Sequence, residues 1–142
     1  MKTISQCGVI NKRLEKDRVN ELCKNLNVKM SSIESPVQKL SGGNQQKVII
    51  AKVLTAQSQI LVFDEPTQGI DVGAKSEIYT LLQKLRSEGK SIIVISSEIE
   101  EIQGVCDRAI VMRNGRLSGE IESHDLDDTG LILHTMYKEI EQ

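Results

Sequence analysis

Aromatic rings are almost missing from this chain: Phe63, Tyr79 and Tyr137 are its whole complement of phenylalanine and tyrosine, and tryptophan is absent. Single-stranded nucleic-acid sites stack bases on such rings, so a stacking platform is excluded. Long apolar runs are missing too. Stretches such as Ile60 to Phe63 and Ile92 to Ile95 are four residues long, whereas a bilayer-spanning helix needs about 20. The opening MKTISQCGVINKRL has no apolar stretch of secretory-signal type, which leads to the expectation of a cytosolic chain. Cysteine is sparse: Cys7, Cys23 and Cys106 are odd in number, widely spaced and form no CxxC pair. That pattern argues against a disulfide framework or a zinc site and for three reduced thiols. No repeat, low-complexity tract or Gly/Ser linker marks an internal boundary.

What is present suits one globular domain. The 142 residues are 39% hydrophobic and 27% charged, and a chain of this size buries roughly 68–70% of its unfolded surface. Charge is split along the chain. Residues 1 to 52 carry ten Lys/Arg against four Asp/Glu, and the remainder eight against sixteen. Two differently solvated surfaces account for this more simply than a nucleic-acid patch.

Val19, Leu22, Cys23 and Leu26 recur at helical spacing and predict an amphipathic helix over about 12 to 26, interrupted at Asn27. A second helix is expected from Asn44 to Gln57, buried on most sides because Val48 to Leu54 is apolar except at Lys52. Ile60 to Phe63 reads as a strand buried on both faces, ended at Asp64-Glu65-Pro66. Ile78, Leu81, Leu82 and Leu85 mark a helix that Gly89 stops, and Ser91 to Ile95 makes a second strand. Strand, helix, strand at this spacing is a βαβ unit with parallel pairing, hence the α/β class. A short helix over Ile99 to Val105, a hairpin through Asn114-Gly115 and a terminal helix with Leu133, Tyr137 and Ile140 complete the reading. Met112 and Met136 read as core filler, Glu98, Glu100 and Glu101 as a solvated helix start, and His124 and His134 as surface residues.

The chemistry gathers at two places. Ser41-Gly42-Gly43 begins a helix, where glycines let an anion approach the backbone and the first turn offers unpaired N–H groups at the positive end of the macrodipole. Ser41 can cap that turn or donate its hydroxyl. Asp64 and Glu65 stand at the carboxyl end of a strand, the edge at which open α/β sheets bind ligands. Asp64 there suits Mg²⁺ held through water, and Glu65 suits orienting or deprotonating a water that attacks a phosphoryl group.

LSGGNQQKVIIAKVL, ILVFDEPTQGID and IIVISSE resemble, in that order and spacing, the signature motif, Walker B motif and switch region of ATP-binding cassette ATPases. The resemblance covers about residues 35 to 121. SGGNQQK with DEPTQGIDVGAK is similar to the second cassette of the fused ATPases that power simple-sugar importers of the ribose, xylose and galactose type. The resemblance implies a partial P-loop NTPase fold, a mostly parallel sheet flanked by helices with a C-terminal hairpin and helix. It implies one domain over 1–142, with 1–40 the end of a helical subdomain and 41–142 the signature helix, Walker B, D-loop and switch. Ser41, Gly42, Gly43 and Gln45 would meet ATP held by an opposite cassette, Asp64 would hold Mg²⁺, and Glu65 would be catalytic. Asp71 would reach across from the D-loop, and Ser97 would occupy the switch position. ATP and Mg²⁺ are the implied cofactors. A second cassette and a membrane permease are the implied partners, nucleic acid is not one, and the implied location is the inner face of the cell membrane.

Two departures stand out. Asn44 replaces the usual glutamine, a shorter amide still able to hydrogen-bond nearby, and Ser97 replaces the usual histidine, so it can neither carry a charge nor reach as far. A phosphate loop, G-x-x-x-x-G-K-[ST], is not in the sequence: Gly89-Lys90-Ser91 ends like one, but Lys84 stands where the first glycine belongs. The chain therefore reads as the latter part of a cassette, inactive by itself. Alternatives are a non-catalytic module that docks on another cassette or a membrane subunit, and a DNA-repair or ribosome-acting ATPase of the same superfamily, which the acidic second half, the few aromatics and GNQQK disfavour.

Overall fold

A computed structural model describes residues 5–6 and 9–122. Cys7, His124, His134, Met136 and the terminal helix expected around Leu133, Tyr137 and Ile140 lie outside the described residues. The elements in chain order are β1 (Ser5–Gln6), β2 (Val9–Ile10), α1 (Lys12–Asn25), α2 (Gly42–Leu54), β3 (Ile60–Asp64), α3 (Val72–Ser87), β4 (Ser91–Ile95), α4 (Ile99–Val105), β5 (Arg108–Arg113) and β6 (Arg116–Glu122). A short 3-10 turn at Val37–Lys39 precedes α2. The residues gather into two compact units, one holding the described residues up to Gln59 with Thr67–Leu81, the other Ile60–Pro66 with the described residues from Leu82 onward.

In the first unit α1 starts where the Asn11 side chain accepts from the N–H groups of Arg13 and Leu14. It ends with Asn27 left-handed at φ 49°, the Val28 N–H bonded to the Cys23 carbonyl and the Asn27 N–H to that of Lys24. This is a Schellman stop with asparagine in glycine's place. β1 and β2 form a two-residue antiparallel pair that the sequence pattern did not announce. Helix α2 begins two residues before the expected Asn44 and ends at Leu54 rather than Gln57. Ser41 is its N-cap, so Gly42 and Gly43 form the first turn instead of preceding it. Its burial is one-sided: Ile50 and Ala51 are buried while Ile49 is half exposed.

In the second unit β3 and β4 pair in parallel, Ile60 opposite Ser91 through Asp64 opposite Ile95, the predicted βαβ arrangement. The expectation that β3 is buried on both faces fails. Leu61 and Phe63 are buried, but Ile60 (59%) and Val62 (54%) are exposed. With only β4 beside it among the described residues, the strand alternates as any strand with one covered face must. Helix α3 runs through both units and buries Ile78 and Leu81 in the first and Leu82 and Leu85 in the second, as predicted. It stops at Gly89, φ 88°, where the Gly89 N–H meets the Arg86 carbonyl and the Lys90 N–H that of Leu85. Gly89-Lys90-Ser91 is thus a helix stop leading into β4, which accounts for its glycine without any phosphate.

Asn114 and Gly115, both at positive φ, turn the β5–β6 hairpin, the two-residue turn that matches strand twist. Strand alternation turns Val111 inward with Ile121 and leaves Met112 outside, correcting its reading as core. Glu101 is a second correction. It is fully buried on α4 instead of solvated, because α4 turns that face inward. Cys23 and Cys106 are free thiols, and burial pushes both above the usual thiol range, helped at Cys106 by the carboxylates of Glu101 and Asp107.

Candidate functional site

The signature-turn residues belong to the first unit. Because Ser41 already gives its carbonyl to the Gln45 N–H at 2.9 Å, the N–H groups of Gly42, Gly43 and Asn44 have no intrahelical carbonyl to reach. Ser41 makes no side-chain bond to them. Its Oγ instead accepts from Asn44 Nδ2 at 2.8 Å, and Asn44 Oδ1 accepts from the Lys29 N–H at 2.7 Å. The shorter amide therefore finds partners nearby, as its chemistry allows. Gln45 turns its amide the other way and donates to the Leu40 carbonyl at 2.8 Å, pinning the chain that enters α2.

The glycines have a packing reason that the sequence did not reveal. A Cβ on Gly43 would stand 2.6 Å from the Ala74 Cβ, and one on Gly42 3.0 Å from Ile70 Cγ2. The signature turn thus lies directly against the D-loop and the start of α3. The D-loop itself turns at Gly69, φ 73°, with the Ile70 N–H bonded to the Thr67 carbonyl. Asp71 Oδ1 accepts from the Ala74 N–H at 3.0 Å, so this carboxylate caps α3. Lys47 was also missed. Its side chain is buried, donating to Glu77 Oε2 at 2.6 Å and to the Asn27 carbonyl at 3.2 Å. The Lys47 hydrogen bond and charge, with Lys29 behind them, hold the Glu77 carboxyl below the usual carboxylate range against the opposing charge of Asp71. The only hint was a lysine at the head of an otherwise apolar helix face.

The carboxylates belong to the second unit. Asp64 ends β3 and is exposed. Glu65 follows at φ 46°, a left-handed backbone that costs a residue with a Cβ about 1–3 kcal/mol. Its N–H extends the ladder by donating to the Ile95 carbonyl at 2.8 Å. Its Oε1 accepts from both the N–H and the hydroxyl of Ser97, at 3.0 and 2.9 Å. The candidate catalytic carboxylate and the switch residue, far apart in sequence, are therefore in direct contact. Both donors fall on one oxygen, which leaves Oε2 for a water. No group of three or more His, Cys, Asp or Glu among the described residues could enclose a metal. Mg²⁺ carried on phosphates and water asks for one or two carboxylates, and the exposed Asp64 could supply one.

Residues 3–68 match the family model described as ABC transporter. That stretch is similar to an ATP-binding cassette. The matched stretch includes Ser41 to Gln45, Asp64 and Glu65, while Asp71 and Ser97 lie beyond it. The chain is 46% identical over 128 residues to ribose import ATP-binding protein RbsA 2 of Rhizobium meliloti (strain 1021), covering 90% of this chain and 25% of that protein. To xylose import ATP-binding protein XylG of Geobacillus kaustophilus (strain HTA426) it is 45% identical, covering 88% and 25%. It thus spans about a quarter of the length of the curated relatives it matches. Among solved structures it resembles the dimeric post-hydrolysis state of the ATP-binding cassette MJ0796 bound to ADP and Pi, with TM-score 0.71 and 26% identity over 83% of this chain and 51% of that one. The α/β architecture, with a parallel pair, flanking helices and a following antiparallel hairpin, is that of these cassettes.

Proposed function

We propose that this chain is part of the ATP-hydrolysing subunit of a sugar importer, a reading supported by the ribose and xylose importers among its relatives. The observation that carries it is the Glu65 carboxylate, held by Ser97 in a strained backbone at the carboxyl end of a parallel strand. Bound MgATP supplies the phosphoryl group and the positive charge that offsets its oxygens. Glu65 orients an attacking water and takes its proton through the oxygen that Ser97 leaves open. Ser97 keeps that carboxylate in place with two neutral donors, and Asp64 would hold Mg²⁺ through water. Ser41, Gly42 and Gly43 act in trans as donors to the γ-phosphate held by a second cassette, with Gln45 pinning their turn and Asp71 at the dimer interface. Residues 1–40 belong with the helical subdomain and 41–142 with the motif-bearing part of one domain. The partners are that second cassette and a membrane permease, at the cytoplasmic face of the membrane. Among the described residues no helix is long and apolar enough to cross it.

Calorimetric titration of the chain with ATP and Mg²⁺, with Glu65→Gln to prevent turnover, tests this directly. The chain alone is expected not to bind below millimolar ATP, since it contains no phosphate loop. Addition of an intact cassette is expected to produce ATP-dependent association that Ser41→Ala weakens. Micromolar binding by the chain alone, or association indifferent to ATP, overturns the reading. The second of these results favours a docking module, for which the exposed Ile60, Val62, Ile93 and Ile95 on one face of the β3–β4 ladder speak.

A further inference from the structure

We propose that Asn44 is a positioning residue that directs the Ser41 hydroxyl hydrogen outward, making the signature turn a surface of donors alone. The inference rests on the reading above, in which Ser41 meets a phosphate held by a second cassette. Two hydrogen bonds fix the polarity. The Lys29 backbone N–H can only donate, so the Asn44 atom it meets at 2.7 Å is oxygen. The other end of the amide is therefore NH₂, and the Ser41 oxygen 2.8 Å away accepts from it. A hydroxyl that accepts in this way keeps its own hydrogen for another acceptor. An N-cap serine ordinarily spends its oxygen on a first-turn N–H, and Ser41 does not.

The anchor for this device is the turn after α1. Lys47 Nζ holds the Asn27 carbonyl at 3.2 Å from one helical turn further along α2, so the Lys29 N–H is presented to Asn44 from a turn fastened at two points. Gln45, with its amide committed to the Leu40 carbonyl, does not compete for Ser41. The Ser41 hydroxyl and the unpaired N–H groups of the first turn then all point to one class of ligand, an oxyanion that only accepts, such as the terminal phosphoryl group of ATP.

The test is the affinity of the full chain for an intact cassette from a ribose import ATP-binding protein, its catalytic glutamate changed to glutamine and loaded with MgATP. Ser41→Ala and Asn44→Ala are each expected to weaken ATP-dependent association about tenfold or more, the worth of a hydrogen bond to a charged group. The double variant is expected to be no weaker than Ser41→Ala, because Asn44 acts through Ser41. Asn44→Asp retains the acceptor for Lys29, which guards against loss of fold, but its second oxygen takes the Ser41 hydrogen. Its effect is expected to shrink in the Ser41→Ala background to the residue of added charge. Asn44 substitutions that leave affinity unchanged while Ser41→Ala lowers it overturn the role of Asn44 alone, as do losses of equal size with and without Ser41. Absence of ATP-dependent association by the unaltered chain overturns the underlying reading and this one with it.

Discussion

The close approach of Gly43 to Ala74 makes a quantitative prediction for Gly43→Ala. The new Cβ would lie 2.6 Å from the Ala74 Cβ, inside the 3.0 Å that real Cβ atoms essentially never breach. Both atoms are fixed to helix backbones, so the strain cannot be relieved by rotating a side chain; α2 must move off the start of α3. Overpacking of this kind costs about 1–3 kcal/mol, and the gain in helix propensity from glycine to alanine offsets at most about 1 kcal/mol. A net loss of about 1–2 kcal/mol should appear in urea unfolding, equivalent to roughly 3–8 °C in melting temperature for a chain of this size. Ala74→Gly added to Gly43→Ala removes the offending methyl, and the cycle should show a favourable coupling of about 1 kcal/mol or more. Gly42→Ala is the control, because the tight neighbour of its Cβ is Ile70 Cγ2, at 3.0 Å, the end of a side chain that can turn away, while the Gly69 carbonyl oxygen and Ile70 Cβ stand at ordinary contact distance, 3.8 and 3.9 Å. A Gly43→Ala protein as stable as the parent, or one that Ala74→Gly fails to restore, would refute the packing account and return the glycine to a purely ligand-facing role.

Two further results are expected. Glu77→Gln should remove part of the acid sensitivity of stability: the carboxyl titrates lower when folded, so its contribution is present above the unfolded value of about 4.3 and is lost as pH falls through the folded one. Urea unfolding from pH 6 to pH 3 should be flatter for the variant, and parallel curves would count against the Lys47–Glu77 contact. Gly115→Ala, at φ 73° with no neighbour within 4 Å, should destabilise by about 1 kcal/mol from backbone strain alone, and an unchanged melting temperature would contradict the turn geometry.

What the sequence made legible was local. The spacing of Ile78, Leu81, Leu82 and Leu85 marks α3, Asn114-Gly115 marks a hairpin, and two short apolar runs either side of a helix mark a parallel pair. Each signal is carried by residues that touch or nearly touch along the chain. The signature turn and the Asp64-Glu65 edge were legible for a different reason, since their residue types and order are a chemical pattern. What stayed hidden depends on distant partners. Nothing in Ser41-Gly42-Gly43 says that Ala74 will sit against it, and nothing in an apolar run says whether a sheet face will be covered, so β3 was expected to be buried twice. Lys47 was missed and Glu101 misjudged because burial of a charge depends on what is packed around it. The contact of Ser97 with Glu65 follows from strand register, which alternation leaves open when both strands are continuous apolar runs.

Under the proposed function, the left-handed backbone at Glu65 sets folding and chemistry against each other at one position. Glycine at φ 46° would carry none of the steric cost that glutamate bears there. Selection of this chain for heat resistance alone should therefore enrich substitutions at residue 65 that relax the backbone and discard the carboxylate. Tolerance at this position in a stability screen, and intolerance in a screen for the ATP-dependent activity proposed above, would be the population-level signature of that trade-off.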